Sequence, residues 1–423
     1  MAAVPTPAHA LRAQRVTLSN GADLLHNRAS ANPSVVLRAM VRAGASRETP
    51  DALGLASFTG AMLREGTEHI GKEALAEELD GLGAGLSVDV GYATSVLSIK
   101  CLSSDMARAM EILGELLRYP SFPAQELERQ RGQLLTELKE LDDNTRVVAE
   151  RNWRQVAYPA GHRFGELPVG TGTSVAAFQR DQLESFFRAW YGPSQTSLIV
   201  VGDVDLDPTR ELAERVLGDW RGARADPVAP SLPATPAPIA VERRVALAGK
   251  TQADVVLGTT TFDRRSPDYD ALSFANHILG RIYFMGRFGE KVRDEQGLAY
   301  YAYSELSAGF GSGPWLVRAG VNPTNIERAL ESMRAELGRF QADGPTEEEQ
   351  LDGVSSLLGS LPRQLETNEG MAGVLGEIEL YDLGLDYLER YPDIIRALTR
   401  DQVTAAARAW LPPDRLVTAI AGP

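Results

Sequence analysis

The chain has 423 residues, with 43 Lys and Arg against 57 Asp and Glu, giving a formal net charge of −14. That acid excess speaks against a nucleic-acid binder, which needs a basic footprint. A single cysteine, Cys101, excludes an internal disulfide framework and any thiolate zinc cluster. The five histidines are His9, His26, His69, His162 and His277, and no two lie closer than 17 residues, so no local two-histidine metal motif exists. No apolar run approaches the length of a membrane span.

The first stretch, Met1 to Gln14, is rich in Ala and Pro and has no apolar h-region, so it does not read as a signal peptide. The compartment stays open: cytoplasmic by default, periplasmic if a signal has been removed. Val16 to Leu25 reads as two short strands around Asn20-Gly21, a hairpin signal. Val35 to Val41 and Thr94 to Cys101 read as further strands. Ser104 or Asp105 is placed to cap a helix whose apolar residues are Met106, Ala109, Met110, Leu113, Leu116 and Leu117. Glu126 to Val156 reads as one long helix striped by Leu127, Leu134, Leu135, Leu138 and Leu141. Arg221 to Arg244 holds Pro227, Pro230, Pro233, Pro236 and Pro238, which makes an extended, semi-rigid linker. Beyond it, Val255 to Leu257, Trp315 to Val321 and Leu416 to Ile420 read as strands.

The two sides of that linker repeat each other. Asp181-Gln-Leu-Glu-Ser-Phe-Phe-Arg-Ala-Trp190 matches Asp401-Gln-Val-Thr-Ala-Ala-Ala-Arg-Ala-Trp410 at an offset of 220. Thr196 to Gly202 overlies Leu416 to Gly422 at the same offset, as Arg108 does Arg328. Ser57-Phe58 and Gly81-Leu82 match Ser273-Phe274 and Gly297-Leu298 at 216. Copies this long are duplicated domains rather than solenoid repeats. The expected organisation is an N-terminal domain over 1–222, a Pro-rich linker over 223–244 and a homologous C-terminal domain over 245–423. Each domain is expected to be α+β, a mostly antiparallel sheet covered by helices on one face.

Two segments carry a resemblance. Gly54-Leu-Ala-Ser-Phe-Thr-Gly-Ala-Met-Leu-Arg-Glu-Gly-Thr67 resembles the helix of the pitrilysin/insulinase-like inverted zincins, most of all the branch with mitochondrial processing peptidase. In active members that helix bears H-x-x-E-H, two zinc-binding histidines around a general-base Glu. Here the three places hold Ser57, Gly60 and Ala61, none of which is a strong ligand or a base. Glu137, 76 residues after Ala61, stands where the family's third ligand falls and reads as a relic or a plain helix-surface acid. His69 reads as a surface turn residue and His277 as a core or interface residue.

Gly286 to Tyr303 resembles the family segment in which an Arg precedes a Tyr by seven residues, matched here by Arg293, Gly297, Leu298 and Tyr300. The resemblance implies that these two side chains reach the zinc site of a partner subunit, orient the substrate carbonyl and stabilise its oxyanion. It further implies one half of a clamshell, with no metal or other cofactor in this chain, zinc in a homologous catalytic partner, and an unfolded peptide as substrate. The related non-catalytic subunits carry a glycine-rich loop where this chain has Leu279-Gly-Arg-Ile-Tyr-Phe-Met-Gly-Arg-Phe288. Arg281, Tyr283, Phe284 and Arg287 there either line the chamber or pack the domain. The competing readings are a catalytically silent scaffold akin to respiratory-complex core proteins, and a peptide-binding module. An independent hydrolase has little support: Cys101 has no adjacent histidine, and neither G-x-S-x-G nor a phosphate loop is present.

Overall fold

The computed structural model describes residues 12–222 and 240–423; His9 and the five prolines of the Arg221 to Arg244 segment lie outside them. Chain contacts divide the described residues into two units. One takes the described residues up to Leu138, then Pro168 to Gly222, and Ser360–Glu389. The other takes Lys139–Leu167, residue 240 to Gly359, and Arg390–Pro423. These units depart from a contiguous division at residue 222, because each includes a segment from the other half of the sequence.

The first unit holds a six-stranded sheet built from β1 (Gln14–Thr17), β2 (Asp23–Arg28), β3 (Ser34–Val41), β4 (Gly85–Val90), β5 (Ser95–Leu102) and β6 (Thr196–Gly202). Its order is β1-β2-β6-β3-β5-β4, and only the β2/β6 pair is parallel. The β1–β2 connection turns at Asn20-Gly21, where Gly21 takes the left-handed conformation that such a turn needs. The second unit holds β7 (Glu242–Ala246), β8 (Ala253–Thr260), β9 (Ala299–Leu306), β10 (Pro314–Val321) and β11 (Val417–Gly422). Their order is β7-β11-β8-β10-β9, again with one parallel pair, β7/β11. The repeat read from the sequence is therefore a repeated sheet, with β6 and β11, at the offset of 220, each lying between a parallel and an antiparallel neighbour.

Both faces of each sheet centre are covered, not one. Every residue of β6 and of β8 is buried, the signature of strands packed on both sides. In the second unit, Val255, Leu257, Trp315 and Val317 pack one face against the helices Tyr269–Gly280, Ile326–Asp343 and Arg400–Trp410. The alternating residues Asp254 and Arg318 turn to the other face, where the helix Thr145–Ala157 lies. Trp153 of that helix is fully buried and donates its indole N–H to the Val417 carbonyl at 3.1 Å. The first unit is completed the same way by the helix Asn368–Leu380, whose Gly376 faces Ile199 and Met40. Its Glu379 accepts from Ser197 at 3.0 Å and pairs with Arg42 and Arg15.

The continuous helix expected over 126–156 is two helices, Ala124–Asp142 and Thr145–Ala157. Asn144 ends the first run and caps the second, its side chain accepting from the Arg146 and Val147 backbone N–H groups. Ser104 and Asp105 make a 3₁₀ turn ahead of Met106–Arg118, and neither side chain caps that helix.

Candidate functional site

The helix Leu55–Met62 starts from Gly54, which has φ +91° and no room for a side chain: a Cβ there lies 2.7 Å from the Val169 carbonyl oxygen. Glu48 serves the helix start from outside, accepting from Ala56 N–H at 2.8 Å and Gly54 N–H at 3.1 Å. On this helix Ser57 donates its hydroxyl to the Pro168 carbonyl at 2.8 Å, so the first ligand position is engaged in holding a loop. Gly60 is buried against β4, and Ala61 is half-buried. Glu137 is exposed on the helix Ala124–Asp142. That helix is tied to the end of Leu55–Met62 through Glu65, a buried carboxylate bonded by Lys72 at 2.9 Å, by Arg129 at 2.6 Å and by Gln130. Among the described residues, no three His, Cys, Asp or Glu side chains group as a metal site. The residues present do not fit a zinc ion: one hydroxyl is engaged, the base position has no side chain, and the remaining carboxylate faces solvent.

Among the described residues, the histidines and the cysteine offer no substitute. His69 is exposed and bonds Glu115 at 2.9 Å. His277 sits in Tyr269–Gly280 with its Nε2 unbonded, and burial, helped by Arg281, lowers its pKa to about 4, so the ring is neutral. Burial pushes the Cys101 thiol up to about 11, which leaves it a poor nucleophile at neutral pH.

The Arg/Tyr segment is arranged differently. Gly289–Glu295 is a π-helical turn that carries Arg293, a rare winding often found at functional sites. It stops at Gly297, which is left-handed and donates to the Arg293 carbonyl at 3.0 Å, while Leu298 is buried and donates to Val292 O. The chain then enters β9, the edge of its sheet. Alternation along β9 puts Tyr301 inside, where its hydroxyl bonds Asp254 and the Arg146 guanidinium, and leaves Tyr300 80% exposed. Arg293 is half-exposed and pairs at 3.1 Å with neighbouring Asp294. Tyr300 is thus presented outward from the edge strand, with half-exposed Arg293 on the turn that leads into it.

The stretch before them splits between packing and presentation. Arg287 is packed: it bonds Glu349 at 2.5 Å, reaches Glu336 at 3.3 Å and lies over the Phe340 ring. Tyr283 and Phe284 are exposed instead, and both adopt φ > 0, a costly backbone choice for bulky residues. The Tyr283 hydroxyl donates to Asp352, which together with Glu348 and Glu349 pushes its pKa up to about 12. Gly280 and Gly286 serve packing here, since a Cβ on either meets neighbouring backbone within 2.4 Å. Phe284, Glu290, Asp294, Glu348 and Glu349 help line an open cavity of about 420 Å³. This cavity is not legible from sequence, because its carboxylates come from two separate segments.

Residues 24–165 match the model of the insulinase peptidase family M16, and residues 177–356 match that of the M16 peptidase inactive domain. The chain belongs to the M16 peptidase family. It is 27% identical over 424 residues to a zinc protease of Mycobacterium tuberculosis, covering 99% of this chain and 94% of that one. It is 26% identical over 267 residues to the mitochondrial-processing peptidase subunit beta of Lentinula edodes, covering 62% of this chain and 57% of that one. A peptidase M16 inactive domain from Pseudomonas fluorescens superposes with a TM-score of 0.90 at 28% identity, covering 98% of both chains. A Helicobacter pylori protease shares the fold at the same TM-score and 18% identity, covering 97% of this chain and 100% of that one. Within this M16 chain Ser57 and Gly60 are taken up by packing, Ala61 is half-buried, and Tyr300 is exposed.

Proposed function

We propose that this chain is the non-catalytic subunit of a two-chain zinc endopeptidase. Its homologous partner supplies H-x-x-E-H and the metal, and this chain supplies Arg293 and Tyr300 in trans. The observation that carries the reading is the contrast inside one fold. The ligand helix is built into packing, yet Tyr300 is exposed on an edge strand and Arg293 half-exposed on the π-turn before it. A guanidinium and a phenol are suited to orient a peptide carbonyl and to stabilise the oxyanion that hydrolysis develops, most strongly where water is excluded. The membership in M16 and the kinship to a processing-peptidase subunit support a peptide substrate and a peptidase partner.

The scaffold reading predicts that Arg293 and Tyr300 are dispensable. Mixing the chain with a zinc-bearing M16 partner separates the two. The proposed role requires both chains for turnover and a loss with Arg293→Ala or Tyr300→Phe at unchanged assembly. Full activity in both variants contradicts it.

A further inference from the structure

We infer that the family's zinc cradle in this chain is closed by packing, with Gly60 the seat of strand β4 rather than a vacant general-base position, so that restoring the ligands does not restore the metal. A Cβ built on Gly60 lies 2.4 Å from Val90 Cγ2 and 3.6 Å from Val88 Cγ1. The first distance is far inside carbon–carbon contact, which is optimal at roughly 3.5–4.0 Å. A Glu at this position meets a valine methyl with its first carbon, before it reaches any space for water.

Neither side can move away cheaply. β4 is held by its ladder to β5, with Val88 opposite Leu97 and Val90 opposite Ser95, and β-branched valines have few χ1 alternatives. The helix is held by Gly54 in its tight left-handed seat, by the Ser57 bond to Pro168 O, and by buried Phe58 beneath the Arg131 guanidinium. Glu137 faces solvent and offers no third ligand to a rebuilt pair. The helix–strand contact has replaced the metal as what this region is built around, and this stands whether or not Arg293 and Tyr300 act on a partner.

The test is the sign of a melting shift in the full chain. At an open helix position Gly60→Ala raises Tm, because Ala is the better helix former. The closed cradle predicts a lower Tm, and it predicts that Val90→Ala recovers part of that loss, so the two substitutions couple instead of adding. A raised Tm for Gly60→Ala, or strict additivity, overturns the inference. In parallel, the S57H/G60E/A61H variant is dialysed against zinc chloride and its metal measured by elemental analysis. No stoichiometric zinc is expected; one zinc per chain at the wild-type Tm overturns the inference. Should that variant fail to fold, the Gly60 and Val90 pair still decides.

Discussion

Replacing Glu150 tests how the second sheet is held by a helix from the other half of the sequence. Glu150 lies on Thr145–Ala157 and pairs with Arg318 of β10 at 2.8 Å and with Arg154, one turn on, at 2.8 Å. The side chains of Arg318 and Arg154 are only 8% and 7% exposed, so Glu150→Ala leaves two guanidiniums nearly out of water. Breaking a buried pair from one side costs about 3–5 kcal/mol. Here Arg318 keeps half-exposed Glu305 at 2.9 Å and Arg154 keeps the Phe164 carbonyl at 3.3 Å, which brings the expected loss to about 2–3 kcal/mol. In a unit of this size that lowers Tm by roughly 5–10 °C by calorimetry. The pH dependence gives a second readout. Burial raises the Glu150 pKa, but Arg154 and Arg318 outweigh it and hold the carboxyl below 4.5. A depressed folded pKa gives stability that is present above the unfolded value and lost as pH falls through the folded one. The gap between wild type and Glu150→Gln should therefore narrow below about pH 4.5. A Glu150→Ala protein melting with the wild type at pH 7, or a gap unchanged in acid, refutes the reasoning.

His277 predicts a separate acid sensitivity. Its folded pKa of about 4 lies below the usual 6.5, so the unfolded chain binds the extra proton between those values and stability rises with pH across that window. A contribution of about 1–3 kcal/mol is expected, flattened in His277→Asn and read by urea melts from pH 4 to 7. Gly54→Ala forces a side chain into a left-handed position against Val169 O and should lower Tm by several degrees, more than about 1 kcal/mol in urea; a neutral result contradicts the assigned seat of the helix. Removing metal should do nothing to this chain alone: its melting curve is expected to be the same with and without EDTA, and a chelator-dependent drop contradicts the absence of a zinc site.

The duplication was legible because matching segments such as Asp181–Trp190 and Asp401–Trp410 recur at one offset, and the structure turns them into equivalent helices. The Asn20-Gly21 hairpin was legible because its turn chemistry is local. The break at Asn144 was not, since apolar residues continue past it and the cap only matters once the two helices separate. The exchanged helices were also hidden: Glu150 meets Arg318, and Glu379 meets Arg42, across more than 160 residues. At the candidate site, that Ser57, Gly60 and Ala61 are neither strong ligands nor bases follows from the residue types alone. The Val90 methyl against Gly60, and the exposure of Tyr300 beside buried Tyr301, depend on which face a strand presents, and three tyrosines within four positions do not reveal that.

The most direct measurement of the central claim is turnover of an unstructured peptide by the complex with a zinc-bearing M16 partner, with assembly followed by gel filtration. The account predicts no turnover by this chain alone, turnover by the pair, and a loss of about 100-fold or more in kcat for Tyr300→Phe and for Arg293→Ala at unchanged complex formation. Wild-type kcat in both variants, in a complex that still forms, contradicts it.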